Sequence, residues 1–483
     1  MVLFFIGEKM QLVKNAEYQA VISSFGANGE GVVKTDGMTV FVPYAMPQEK
    51  VQFKVLKVKK NYAFGKITKL FTPAEDRVRA NCPVFEKCGG CQLQHVRYST
   101  QLKFKTQLVH DCFHKIAGMD VIVAPCHKSE QEWGYRNKLQ LPVSRDEKGT
   151  HVGFFAENSH RIVDIASCPI HPTWSKDVIS VVRTYLSVCG VKAYNEETHT
   201  GVLRHVVVRE VCGNLMIVFV INAEDLPKKD ELIALCTEKF HSPSLFYNVN
   251  QAETNVICGE TTVCFFGEPR LEAEEMGIRY EAGPETFLQI NGSIRKKIYE
   301  KAVKLAVNTP ETVVIDAYSG GGMMTALCAK SAKHAYGVEI VPEAVACANA
   351  LAAKNGLQDK MTNVCGDCEQ ELVPLVEKLR AQGEKVSVIL DPPRKGCSES
   401  VLHTVLKAKP ETIVYVSCNP ASLARDVAVL TDRLIRKDGE LLKNETPNSS
   451  YELVSVDPYD MFPQTKHVET LVCLTRKTNE NRK

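Results

Sequence analysis

At 483 residues the chain is too long for one hydrophobic core, so two to four domains are expected. Charged residues make up 24% with a net charge of only +2, which excludes a globally basic nucleic-acid binder, so any such contact must be local. The start, "MVLFFIGEKM", is too short and lacks the basic leader of a signal peptide, and no apolar run approaches a membrane span. A cytoplasmic protein is expected, its 18 cysteines serving as thiols or metal ligands rather than disulfides.

Residues 10–72 predict a small β-barrel of the OB type, with short strands between Gly-rich turns. Nothing before Met10 carries the barrel pattern, which makes Met10 an alternative start. From Lys50 to Lys69 there are seven lysines and no acid, with Phe53, Tyr62 and Phe64 interleaved. Lysines for phosphates and rings for bases suit single-stranded RNA, although a solvated strand face has the same composition.

Next comes "CPVFEKCGGCQLQH". Cys82, Cys88 and Cys91 stand as C-x5-C-x2-C around Gly89 and Gly90. Three thiols this close call for a metal and a fourth ligand, for which Cys112, Cys126 and Cys168 are candidates. Thiolate ligation fits zinc or an iron–sulfur cluster; the single C-x2-C knuckle leans towards iron–sulfur. Residues 135–280 predict an antiparallel β region with helical pieces, one around Lys176–Val188. Its Arg136, Asn137, Lys138, Arg204, His205 and Arg209 are positions able to face RNA or to be ordinary strand-edge polar groups.

From about 281 strands and helices alternate, the mark of a doubly wound α/β unit. "DAYSGGGMM" follows a strand, and Glu339 ends the next strand, placed for two ribose hydroxyls. The turn is not G-x-G-x-x-G, which disfavours a dinucleotide and suits S-adenosylmethionine. Asp367 is placed for an adenine amino group, while Cys365 and Cys368 form a C-x-x-C without a partner pair. "ILDPPRKG" ends a strand at Asp391, with Arg394 where amino-group methyltransferases carry an aromatic ring, which argues against that chemistry. In "YVSCNPASLARD", Cys418 lies between a β-branched strand and a helix opened by Asn419 as cap and Pro420 at the first position. A helix N-terminus favours a thiolate. Glu469 sits inside an apolar strand, where a carboxyl has a raised pKa suited to general acid–base work.

A nucleophilic cysteine, a semi-buried base and a methyl-donor turn fit one chemistry. A thiolate adds to C6 of uracil, C5 becomes nucleophilic and takes a methyl group, and a base removes the C5 proton. The motifs "CPVFEKCGGCQLQH", "SCPI", "FLQIN", "DAYSGGG", "VEIVPEAV", "DPPRKG", "SCNPASLARD" and "FPQTKHVE" occur in the order of a known family. With them the chain resembles the bacterial RNA uracil-C5 methyltransferases, in the 23S rRNA 5-methyluridine branch that carries a TRAM domain and a [4Fe-4S] site. The resemblance implies α/β plus β architecture. An OB-like TRAM barrel spans 10–72, a central mixed α/β iron–sulfur domain 73–280, and a Rossmann-like class I methyltransferase domain 281–483. It implies Cys418 as nucleophile and Glu469 as base, with Gln289, Tyr318, Glu339, Asp367 and Asp391 around S-adenosylmethionine. Asp391 and Gln289 are also candidates to reach the uracil, and Cys82, Cys88, Cys91 and Cys168 are implied as cluster ligands. RNA is the expected partner, 23S rRNA before tRNA, with no membrane and no obligate protein partner. One departure stands out: Ser319 and Met323–Met324 occupy a turn where the family has Cys and a small residue. The competing readings are a tRNA uracil-C5 methyltransferase and a non-catalytic RNA-binding iron–sulfur protein.

Overall fold

The computed structural model describes residues 3–4, 12–35, 38–147, 149–437 and 440–477. In the N-terminal sheet, Lys50–Val58 and Tyr62–Thr72 form a long hairpin, closed by Met38–Val42 pairing parallel to Tyr62–Thr72. Period-two alternation sends Val51, Phe53 and Val55 fully inside, with Tyr18, Val40 and Ala63. Gly65 is required there, because a Cβ would meet the Phe53 ring at 2.7 Å. Leu3–Phe4 pairs parallel to Glu17–Val21, so the barrel sheet takes in a short strand ahead of Met10, contrary to expectation; Met10 itself lies outside the described residues. Lysines 57, 59, 60, 66 and 69 are exposed. Beside them Phe41, Tyr62 and Phe64 cluster with centroids 5.6–6.0 Å apart.

The central region is a seven-stranded sheet whose one face is covered by the helices Trp174–Ser187 and Lys229–Lys239. Not all of it is antiparallel: Asn214–Ile221 and Ser244–Val249 run parallel because the helix Lys229–Lys239 crosses over between them. The opposite face, with Val207, Met216, Val218 and Val220, packs on the hairpin Leu271–Glu275/Ile278–Ala282 and the helix Gly292–Ala306.

The C-terminal sheet runs, edge to edge, Met361–Cys365, His334–Glu339, Thr312–Ala317, Lys385–Leu390, Thr412–Ser417, Glu469–Arg476, Tyr451–Tyr459. The first five are parallel and near-continuously apolar, buried by helices on both faces. The order in which strands are added reverses between Thr312–Ala317 and Lys385–Leu390, which stay parallel; this is the switch point at whose carboxyl end open α/β sheets bind ligands. The helix Tyr98–Cys112 precedes the central sheet in the chain, yet Val109, and Phe113 just beyond it, are buried in the core of the C-terminal sheet. Among the described residues, no helix is long and apolar enough to cross a membrane.

Candidate active site

Strand order converts the sequence motifs into a line. Along the carboxyl edge of the parallel strands stand, in spatial order, Asp367, Glu339, Tyr318, Asp391 and Cys418. The next strand, Glu469–Arg476, runs antiparallel, so its first residue arrives at the same edge. The register pairs Ser417 with Thr470, which brings Glu469 opposite Cys418. Three interstrand spacings, about 14 Å, separate Glu339 from Cys418, with Asp391 between them.

The reaction end is desolvated. Glu469 is 2% exposed, and burial, then the Asp391 carboxylate, hold its carboxyl well above the usual range. Burial pushes Asp391 up to about 7. For Cys418 burial raises the thiol, Glu469 adds to this, and Arg394 opposes both by charge and by a side-chain hydrogen bond. Arg394 also lowers Glu469, so one guanidinium serves both groups. This partner was missed in the sequence, where Arg394 counted only as the absence of a ring.

The rest of the cysteine motif explains how Arg394 is held. Asn419 caps the helix Pro420–Leu430 by accepting from Ala421 N at 3.1 Å, and its Nδ2 donates to Arg394 O at 3.2 Å. Arg425 Nη2 donates to Lys395 O at 2.9 Å. Buried Asp426 accepts from Tyr415 Oη at 2.6 Å and Cys397 N at 2.9 Å. Gly396 (φ +80°) passes so close that a Cβ would meet Asp426 Oδ2 at 2.4 Å. The helix that follows Cys418 therefore straps down the Asp-Pro-Pro-Arg loop.

At the cofactor end a cavity of about 600 Å³ is lined by Tyr318, Glu339, Asp367, Cys368, Pro393 and Cys397, among others. Glu339 accepts from Gly320 N and Val341 N, each at 2.9 Å, and each carboxylate oxygen keeps a lone pair for a ribose hydroxyl. Nothing lies within 4 Å of a Cβ built on Gly320 or Gly321, so the turn leaves open space beside Glu339. These residues fit S-adenosylmethionine. Tyr318 holds a left-handed backbone (φ +69°) and shares the cavity wall with the Cys397 thiol. Asp367 spends one oxygen capping the helix Cys368–Ala381, at 2.9 Å from Glu369 N. Gln289 accepts at its backbone oxygen from Asn137 Nδ2 at 3.2 Å. Ser319, Met323 and Met324 do not line the cavity; both methionines pack into apolar core.

Cys168, rather than Cys112 or Cys126, joins the trio of the "CPVFEKCGGC" loop. Burial raises both Cys91 and Cys168 to about 12, and each is raised further by Cys82 and Cys88. All four are free thiols. Neighbouring thiols, of which burial raises Cys88, Cys91 and Cys168, are a donor set that a soft metal centre would relieve, so the chemistry fits thiolate ligation. The sulfurs do not yet close on a point: among the described residues no group of three or more His, Cys, Asp or Glu is arranged to hold a metal ion.

Known proteins match this architecture from end to end. The family model described as tRNA (Uracil-5-)-methyltransferase matches residues 263–477, and the TRAM domain model matches 13–68. An uncharacterized RNA methyltransferase of Halalkalibacterium halodurans is 40% identical over 96% of this chain and 98% of its own. One from Clostridium acetobutylicum is 37% identical over 96% and 98%. The crystal structure of the Pyrococcus abyssi tRNA (uracil-54, C5)-methyltransferase, in complex with S-adenosyl-L-homocysteine, superposes with a TM-score of 0.73. It is 26% identical, covering 95% of this chain and 100% of that one. The methyltransferase family match and a fold solved elsewhere with the spent methyl donor support S-adenosylmethionine as the cosubstrate. The chain belongs to the RNA uracil-C5 methyltransferase family, as an S-adenosylmethionine-dependent enzyme with a TRAM domain.

Proposed function

We propose that the protein methylates C5 of a uridine in 23S rRNA through a covalent bond between Cys418 and C6 of the uracil. The observation that carries this reading is the convergence of Cys418, Arg394 and buried Glu469 on adjacent strand ends. Arg394 favours the thiolate, which adds to C6 and sends the C5=C6 electrons towards the C4 carbonyl. C5 is then the nucleophile, and bound S-adenosylmethionine supplies the methyl group. Glu469, ionised, takes the C5 proton; those electrons reform C5=C6 and expel the Cys418 thiolate. A carboxyl that holds protons tightly is a strong base once ionised, which is the benefit of burying Glu469. Asp391, near 7, is poised to donate to or accept from the uracil edge, and Gln289 is the second residue assigned to that edge. Tyr318, Glu339 and Asp367 hold the cosubstrate.

The same reading divides the chain into an RNA-binding barrel (10–72), a central domain (73–280) and a catalytic domain (281–483), acting in the cytoplasm without an obligate partner. It assigns Cys82, Cys88, Cys91 and Cys168 to a [4Fe-4S] cluster that organises the central region; the four-thiol donor set supports this. The 23S target rests on the joint presence of barrel and cysteine set. A second reading, a tRNA uridine, is favoured by one observation: the Pyrococcus protein, named for uracil-54 of tRNA, aligns along 95% of this chain.

The test is trapping. Fluorine at C5 cannot leave as a proton does, so 5-fluorouridine RNA with S-adenosylmethionine should give a band stable on a denaturing gel. It should form with 23S fragments, fail with tRNA and vanish in Cys418→Ala. A band with tRNA alone moves the target to the second reading; methyl transfer surviving in Cys418→Ala overturns the mechanism. The same anaerobic preparation should be brown and bleach on reduction, whereas a colourless zinc protein overturns the cluster.

A further inference from the structure

Glu469 follows directly on a loop, 460–468, that joins Tyr451–Tyr459 to Glu469–Arg476. Two antiparallel strands need only a two-residue turn, and loops normally lie on the surface. This one is sunk: Asp460 and Met461 are 0% exposed and Gln464 2%. A buried loop must find partners for its backbone groups, and these partners come from the central region, more than 300 residues earlier. Gln92 N and Leu93 N donate to Gln464 O at 3.2 and 3.0 Å. Gln101 exchanges two side-chain hydrogen bonds with Gln464, at 2.9 and 3.0 Å. Tyr135 Oη donates to Pro463 O at 2.9 Å. Lys105, on the helix Tyr98–Cys112, donates to Asp460 Oδ1 at 2.5 Å and to Phe462 O at 3.0 Å, with both charged side chains fully buried.

We propose that Lys105 is a positioning residue for the catalytic base: through Asp460 and Phe462 it fixes the loop that aims Glu469 at the C5 proton. The loop touches neither Cys418 nor the cosubstrate cavity in the contacts described, so its loss should strike one step. Addition to C6 and methyl transfer would proceed. Removal of the C5 proton, with reformation of C5=C6 and departure of the thiolate, would stall. A buried ion pair is weak support for stability, since apolar replacements of both partners are often neutral; holding a unique geometry is the role left to it.

This inference rests on the covalent reading above, and the experiment separates their failures. Wild type, Lys105→Met and the paired Lys105→Met/Asp460→Leu variant are incubated with ordinary uridine RNA and S-adenosylmethionine. Covalent enzyme–RNA is read on a denaturing gel, and methyl transfer by rapid quench. Both variants should show a methyl-transfer burst within about threefold of wild type, kcat at least tenfold lower, KM little changed, and at least tenfold more persistent adduct. The paired variant, freed of the unpaired buried charge, should melt near wild type and still hold the adduct. If it regains full turnover, or if Lys105→Met loses burst, adduct and turnover together, the pair only stabilises the fold and the inference is overturned. If wild type itself gives no adduct even with 5-fluorouridine RNA, the covalent reading fails first.

Discussion

Two ends of one sheet edge hold carboxylates in opposite ways. At the cofactor end Glu339 is partly buried and accepts from two backbone N–H groups, next to exposed Ile340 and Val341 at 63% and 47%. At the reaction end Glu469 is 2% exposed and its carboxyl is driven up by burial. A reversible ligand needs an acceptor that is already aimed, so the backbone donors that hold Glu339 are kept. Chemistry on carbon needs a base strong enough to take a weakly acidic proton, so hydration is removed. Asp391, between the two, has a carboxyl near 7 and shares the desolvation of the reaction end.

Variants should split along that line. On the proposed mechanism, Cys418 addition makes the C5 hydrogen exchangeable even without a methyl donor, so tritium release from 5-tritiated uridine RNA reads the reaction end alone. Glu469→Gln should have the largest effect, lowering turnover by about 10²–10⁴-fold and abolishing exchange. Exchange at the wild-type rate would remove Glu469 from the role of base. Arg394→Met should cost about 30-fold near neutrality, the worth of a hydrogen bond to a charged group. The sign follows from the causes: burial already raises the Cys418 thiol and Arg394 lowers it, so without Arg394 the pKa climbs. Rate should then recover as pH rises, and an unshifted pH–rate profile would show that Arg394 does not act on the thiolate. Glu339→Gln should have the smallest effect, raising KM for S-adenosylmethionine about tenfold while donor-free tritium release stays at the wild-type rate. A fall in that release would show that the two ends are not independent.

Local chemistry was legible in the sequence. The β-branched run, Asn cap and Pro at "YVSCNPASL" gave the strand-to-helix junction that the structure has, with Thr412–Ser417 ending one residue before Cys418. Glu469 was legible as a carboxyl among apolar neighbours, although its place opposite Cys418 needed the antiparallel register. What was hidden is whatever depends on sequence-distant partners. Arg394 is 24 residues from Cys418 and becomes its partner only because parallel strands end side by side. Lys105 and Asp460 are 355 residues apart, and no periodicity announces a lysine that lies buried in a helix otherwise packed by Phe104 and Val109. Asp367 is instructive in another way: its position at a strand end suggested a ligand contact, while the same position made it the cap of the next helix.

The late antiparallel strand also bears on biosynthesis. The thiol, the glycine turn and the strapped Asp-Pro-Pro-Arg loop are all specified by residue 426, but the proposed base is residue 469, and its loop closes against side chains made some 360 residues earlier. On the proposed mechanism, a chain that ends before Glu469 would carry the thiol without the base that releases the RNA. Completion of the sheet, rather than appearance of the nucleophile, is the event that turns the polypeptide into a catalyst capable of repeated turnover.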